Sequence, residues 1–249
     1  MPKFNKPGPG KCVYCLGEFD KLTWDHVFPK SWYSESEPIN KEKWKVPACN
    51  DCNKKYGEIE QDLLLRFALC FNPNDERFKN ISKKSLKGIR PELGKTPRDI
   101  NSRKKKKDEL KNDIISHDEI PDYGILPNFG MQSNAQYDKL LTIGIHQQSL
   151  KSIGEKLIRG IIYQVTKNYI TENYSIDTRI CDNNDKRIKT TLDDINRVGT
   201  KYTYGTSIEV TYAILPDDNI SAVSLIWFWQ RLFLSVSVIG KELGANHNI

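Results

Sequence analysis

The chain has 249 residues, 38% hydrophobic and 28% charged, which is enough to bury a real core as one large domain or two small ones. Six cysteines are too few for a disulfide scaffold, and the overall composition is that of an ordinary soluble protein. The formal net charge is +6, and it is unevenly spread: 13 Lys/Arg against two acids between Arg77 and Lys107 make that segment +11 and leave the rest of the chain at −5. Such a block favours a polyanion partner through release of condensed counterions, whereas its simpler meaning is a solvated face.

In chain order, Met1–Gly10 is a Pro/Gly-rich lead-in with no apolar h-region, so the expectation is a cytoplasmic protein with reduced thiols. Cys12 and Cys15 form a C-x2-C pair followed by Gly17, the shape of one zinc knuckle. Lys21–Phe28 alternates as a short strand, stopped by Pro29. Glu35–Lys45 is polar and reads as a loop. Val46–Cys52 carries a second C-x2-C pair, Cys49 and Cys52, and a helix is expected from Cys52 to about Leu69.

Phe71–Lys111 is basic and broken by Pro73, Pro91 and Pro97, which predicts helices or loops joined irregularly, with Lys104–Lys107 as an exposed connection. Asp108–Pro127 is acidic and marks a candidate boundary. Beyond it, Leu150, Ile153, Leu157, Ile161 and Val165 put one apolar face on a helix over Ser149–Ile170. Ser207–Leu215 alternates as a half-buried strand. The apolar run Ala222–Ile239 carries Gln230 and Arg231 at its middle and reads as two buried strands rather than a membrane span. Trp227, Phe228 and Trp229 read as core aromatics, with a base-stacking platform as the alternative. Cys70 and Cys181 read as partly buried free thiols. His117, His146 and His247 are isolated and take no role.

Two C-x2-C pairs with 33 residues between Cys15 and Cys49 suit a tetrahedral four-cysteine zinc site that closes a loop. Four thiolates leave no open position, so the zinc is structural and contributes folding energy to a region with little core. The chemistry lies in the loop between the pairs. Hydrolysing a phosphodiester needs a base for water and a cation for the developing charge. His26 can be the base. Asp25 can hold a hard cation such as Mg²⁺ or Mn²⁺, provided that the strand turns to bring both side chains together. Asn53 can hold the His26 loop through its backbone.

The pattern C-x2-C … DHV-x-P … C-x2-CN-x2-Y resembles the HNH endonucleases with a four-cysteine zinc site, over roughly Lys11–Ala68. The resemblance implies an N-terminal ββα-metal unit in an α+β chain and phosphodiester hydrolysis in DNA. It makes His26 the general base, Asp25 a metal ligand and Asn53 the residue that positions the loop. The family's third motif residue, a His or Asn nine positions after the middle Asn, is Asp62 here, a departure from the pattern. Asp62 is preferred to Glu60 as the second ligand by spacing; the two lie about 200° apart on a helix, so one at most reaches the ion.

The expected organisation is a nuclease unit over 1–70, a basic connector over 71–124 that tracks phosphates through Lys104, Lys105, Lys106 and Lys107, and a C-terminal α+β domain over 125–249 for specificity or self-association. The rival reading is a non-cleaving zinc module that binds nucleic acid or protein. RNA remains open as a substrate beside DNA.

Overall fold

A computed structural model describes residues 6–33, 43–71, 78–116, 126, 129, 141–182, 186–204 and 207–241. The chain is mixed α+β. Two short antiparallel pairs come first: β1 (Gly10–Lys11) with β2 (Glu18–Phe19), and β3 (Thr23–His26) with β4 (Lys45–Ala48). A 3₁₀ turn at Lys30–Trp32 follows β3, and α1 (Asn50–Cys70) leaves directly from β4. The expected helix is there, starting two residues earlier because Cys49 is its N-cap: the Cys49 sulfur accepts from the Cys52 amide. Of the polar loop expected over Glu35–Lys45, residues 35–42 lie outside the described residues.

The basic segment is helical. It forms α2 (Lys79–Lys87), a 3₁₀ turn at Pro91–Leu93 and α3 (Pro97–Asn112). Thr96 caps α3 by accepting from the Asp99 amide, and Pro97 occupies its first turn. Lys104–Lys107 therefore lie inside a helix. The expectation of an exposed connection is corrected: the lysines are exposed, but a capped, proline-started helix of good helix formers carries them.

Next come the pair β5 (Ile114–Ser116) and β6 (Leu141–Ile143), then α4 (Gln147–Thr166), which ends at Lys167 in the left-handed region (φ 63°). The remaining strands are β7 (Tyr174–Ile180), β8 (Thr200–Tyr204), β9 (Ile208–Ile214), β10 (Ala222–Phe228) and β11 (Leu232–Gly240), with α5 (Lys186–Val198) between β7 and β8. They form one antiparallel sheet in the order β7-β11-β10-β9-β8. The run Ala222–Ile239 is thus the hairpin β10–β11, as expected, and no helix among the described residues is long and apolar enough to cross a membrane.

Alternation along the strands gives the sheet two buried faces. Leu225 and Phe233 face α5 and pack with Cys181 and Ile195. Ile226, Phe228, Leu232, Leu234, Val236 and Val238 face the other way, into a cluster that α4 and the N-terminal residues share. Trp32 joins them there. Its ring meets Phe228 edge-on at 4.8 Å, and its carbonyl accepts from the Trp229 indole at 2.9 Å. The N-terminal unit and the C-terminal sheet thus pack into one core across the positions near 70 and 124. Phe228 and Trp229 are buried core aromatics, while Trp227 stacks on Phe233 over the α5 face.

Candidate active site

Two structural units meet at β3. The first is the cysteine cluster. Cys12, Cys15, Cys49 and Cys52 place their sulfurs within 4.8 Å of one another. The Cys15–Cys49 separation is 3.8 Å, far beyond a disulfide and equal to the ~3.8 Å edge of a sulfur tetrahedron with ~2.3 Å zinc–sulfur bonds. Backbone amides already serve the sulfurs: Cys49 N–H donates to Cys12 Sγ (3.3 Å) and Cys52 N–H to Cys49 Sγ (3.4 Å). Leu16 turns the first knuckle with φ 64°, its amide bonded back to the Cys12 carbonyl. The four cysteines could hold a zinc ion, and the donor chemistry fits one.

The second unit lies under β3. β3 pairs regularly with β4, with Asp25 opposite Val46 and His26 opposite Lys45. The strand does not turn to bring Asp25 and His26 together, so they point to opposite faces. Asp25 is buried and receives two donors on one oxygen, the Tyr14 hydroxyl at 2.8 Å and the Lys156 ammonium at 2.9 Å. The same ammonium donates to Glu60 Oε1 and, at 2.8 Å, to the His26 carbonyl. Lys156 comes from α4 and is fully buried. Glu60 stands on α1, whose carbonyl at the same residue accepts from the Trp32 indole (3.2 Å).

Burial raises Glu60 to about 7 against the pull of Lys156, with Asp25 adding to the rise. Burial and the neighbouring Asp25 also raise Tyr14, which keeps its phenol a donor. His26 moves the other way, down to about 4. Burial is the main cause, and the cations Lys45, Lys30 and Lys156 outweigh Asp25. Its imidazole is neutral at pH 7.

Asn53 reaches this region by a different contact from the expected one. Its side-chain amide donates to Thr23 Oγ1 at 2.9 Å, and Thr23 in turn donates to the Ala48 carbonyl at 3.1 Å. It therefore ties the first turn of α1 to the start of β3, rather than holding the loop after His26. Asp62, preferred to Glu60 by spacing, lies elsewhere. Asp62 binds Arg66 at 2.8 Å on the far side of α1, because the two carboxylates lie about 200° apart around the helix. Glu60 is the one brought to Asp25.

The expected hard cation can be tested against this geometry. A Mg²⁺ or Mn²⁺ ion between Asp25 and Glu60 would need oxygen ligands at ~2.1 Å around it. The point between the carboxylates is the point where Lys156 Nζ sits. The residues as arranged do not fit a divalent ion there.

Lys156 is the residue that sequence reasoning missed. The signal was present: Ile153, Lys156, Leu157, Gly160 and Ile161 are one helical stripe, so a lysine stands among core-facing positions. Gly160 has the same origin. A Cβ there would come within 2.8 Å of the Val27 side chain, and one at Gly154 within 2.3 Å of Thr178. These two glycines let α4 approach both β3 and β7. Lys104–Lys107 lie away from this centre on α3, with Lys106 Nζ 3.3 Å from Gln61 of α1. Cys70 is exposed and Cys181 buried, so only the second thiol fits the expected burial. His146 precedes α4 and lies 3.9 Å from Asp113; His117 and His247 fall outside the described residues.

No family model, curated protein or solved structure matches the chain. The reading of this site therefore rests on its own geometry.

Proposed function

We propose that the chain is an HNH-type nuclease that hydrolyses phosphodiester bonds of nucleic acid, DNA in the first instance, with His26 as the general base. The observation that carries this reading is the meeting of two motifs that lie apart in sequence. The Cys52-Asn53 turn is tied through Asn53 and Thr23 to the strand that presents Asp25 and His26. A zinc ion held by Cys12, Cys15, Cys49 and Cys52 would fix both ends of that arrangement and take no part in the reaction.

His26 is half-buried and neutral at pH 7, so its free ring nitrogen can accept from water; burial and the nearby lysines weaken it as a base, and a phosphate bound beside them offsets their charge. The oxygen of that water forms a bond to phosphorus, and the bond to the leaving ester oxygen breaks. Asp25, behind the strand, orients β3 through Tyr14 and Lys156 and does not share the face of His26. The helices α2 and α3 offer exposed lysines and arginines for phosphates along the substrate.

The test is cleavage of plasmid, single-stranded DNA and RNA by wild type and by His26→Ala. The variant is expected to lose cleavage while keeping its fold, zinc content and nucleic-acid affinity, because a general base contributes to the transition state and little to ground-state binding. Wild-type cleavage by His26→Ala would instead support the non-cleaving zinc module.

A further inference from the structure

We propose that this centre works with lysines in place of a divalent ion: Lys156 fills the site between Asp25 and Glu60, and Lys45, beside His26, faces the scissile phosphate. The cleavage part rests on the nuclease reading above; the ion-binding part does not.

The first observation is the completeness of the Lys156 site. An ammonium has three N–H donors and no acceptor. Lys156 directs them at Asp25 Oδ2, Glu60 Oε1 and the His26 carbonyl, with no solvent exposure. The rings of Tyr14 and Tyr56 lie 5.9 and 6.0 Å from Nζ and close the remaining sides. Two buried carboxylates facing each other are held together by a cation or by a shared proton, and here an ammonium lies between them. This chain supplies it covalently, from a helix seated close by Gly160 against Val27 and Gly154 against Thr178. A divalent ion could occupy that point only if Lys156 withdrew from all three partners and left its buried position.

The second observation lies on the opposite face of the hairpin. His26 and Lys45 are register partners of β3 and β4, so their side chains leave the same face. Lys30 follows on the exposed 3₁₀ turn. A phosphate at His26 thus lies beside two lysines whose charges already act on the imidazole. Water gives its proton to His26 and its oxygen to phosphorus. The leaving oxygen departs with the bonding pair and takes a proton from solvent, while Lys45 balances the charge that builds on the phosphoryl oxygens. Lys156 is a positioning residue in this scheme: it reaches no substrate and acts by holding the Asp25 carboxylate and the His26 peptide.

The test has two arms, both on zinc-loaded protein. Manganese binding is measured by the electron paramagnetic resonance of free Mn²⁺. Wild type and Asp25→Asn are expected to take up the same amount. Lys156→Met is expected to gain a bound ion, and Lys156→Met/Asp25→Asn to lose it. Mn²⁺ on wild type that Asp25→Asn removes would overturn the proposal, and so would a folded Lys156→Met that gains none. If Lys156→Met does not fold, the wild-type and Asp25→Asn comparison still decides. In the second arm, wild-type cleavage is expected to be unchanged between Mg²⁺ buffer and buffer passed over a chelating resin, and to be lost in Lys45→Met. Cleavage that appears only with Mg²⁺ or Mn²⁺ would overturn it. Failure to cleave under either condition sinks the nuclease reading and leaves the manganese arm standing.

Discussion

Glu60 and Asp62 stand two residues apart on one helix and meet two different buried cations. Glu60 faces Lys156 on the side of β3. Asp62 faces Arg66 on the side of the basic helices, where the guanidinium also binds Asp113 at 2.7 Å and the Gly144 carbonyl. Both cations are buried, with Lys156 at 0% and Arg66 at 4% side-chain exposure. Their partners differ. Asp25 and Glu60 are 12% and 13% exposed, whereas Asp62 and Asp113 are 39% and 31% exposed. Water therefore shares the charge on the Arg66 side, and the planar fork of arginine suits two carboxylates and a carbonyl at once. That side is a staple joining α1 to the end of α3 and the approach to α4. On the Lys156 side little water helps: one ammonium faces two carboxylates, and burial raises Glu60 to about 7, so that a proton shares the load. One helix thus carries a structural ion network on one face and the candidate centre on the other.

The largest way to break this contrast is to remove the metal that would hold the start of α1. Cys49 caps α1, ends the β4 hairpin and supplies one sulfur. A structural zinc site contributes on the order of 10 kcal/mol, comparable with the whole net stability of a domain. Cys49→Ser is expected to lose zinc and, with it, the fold around β3 and β4, read by elemental analysis and by hydrogen exchange. Amides of β3 should lose protection before those of β10 and β11. Equal protection in both regions, in zinc-free protein, would show that the cluster is not what holds this side.

Breaking the other side should do less. Arg66→Met leaves Asp62 and Asp113 without their buried cation. A fully buried pair broken in this way costs roughly 3–5 kcal/mol, and the partial hydration of both carboxylates places this one at about 2–3 kcal/mol. Urea unfolding should show that loss while the cleavage rate stays at the wild-type value, because no part of this network reaches His26.

How much of this arrangement was legible in the sequence follows from the range of each interaction. The knuckles were legible because C-x2-C is local. The helix α1 and the strand β9 were legible because their periodicity is carried within a few residues. The pairing of Lys156 with Glu60 spans 96 positions, and that of Trp229 with Trp32 spans 197, and no local pattern encodes either. The β10–β11 turn makes the same point. Its central residues Trp229 and Gln230 both have positive φ (54° and 55°), where Asn or Gly is the usual signal. Burial of Trp229 and its bond to Trp32 hold the turn, so the local preference is overridden from a distance. Asp25 and His26 failed to converge because the β3–β4 pairing is regular, a fact that adjacency in sequence does not reveal.

The smallest expected effect concerns the lysines on the Asp62 side. Successive residues of a helix are 100° apart, so four consecutive lysines on α3 point around most of its circumference and cannot all meet one phosphate backbone. Lys105 lies 3.7 Å from Glu109, and Lys106 reaches Gln61. Lys104 and Lys107, three residues apart, share a face. Each phosphate contact on duplex DNA contributes about −0.9 to the slope of log K against log salt. Replacing Lys104 and Lys107 with Ser is therefore expected to flatten the slope by about 1.8, two contacts at that value. Replacing all four, Lys104–Lys107, should add little more. Cleavage at saturating DNA should stay unchanged, since phosphate contacts of this kind contribute to ground-state binding. A slope that falls in proportion to all four lysines would mean that α3 does not lie on the substrate as a helix, and an unchanged slope would mean that its charge is only solvated.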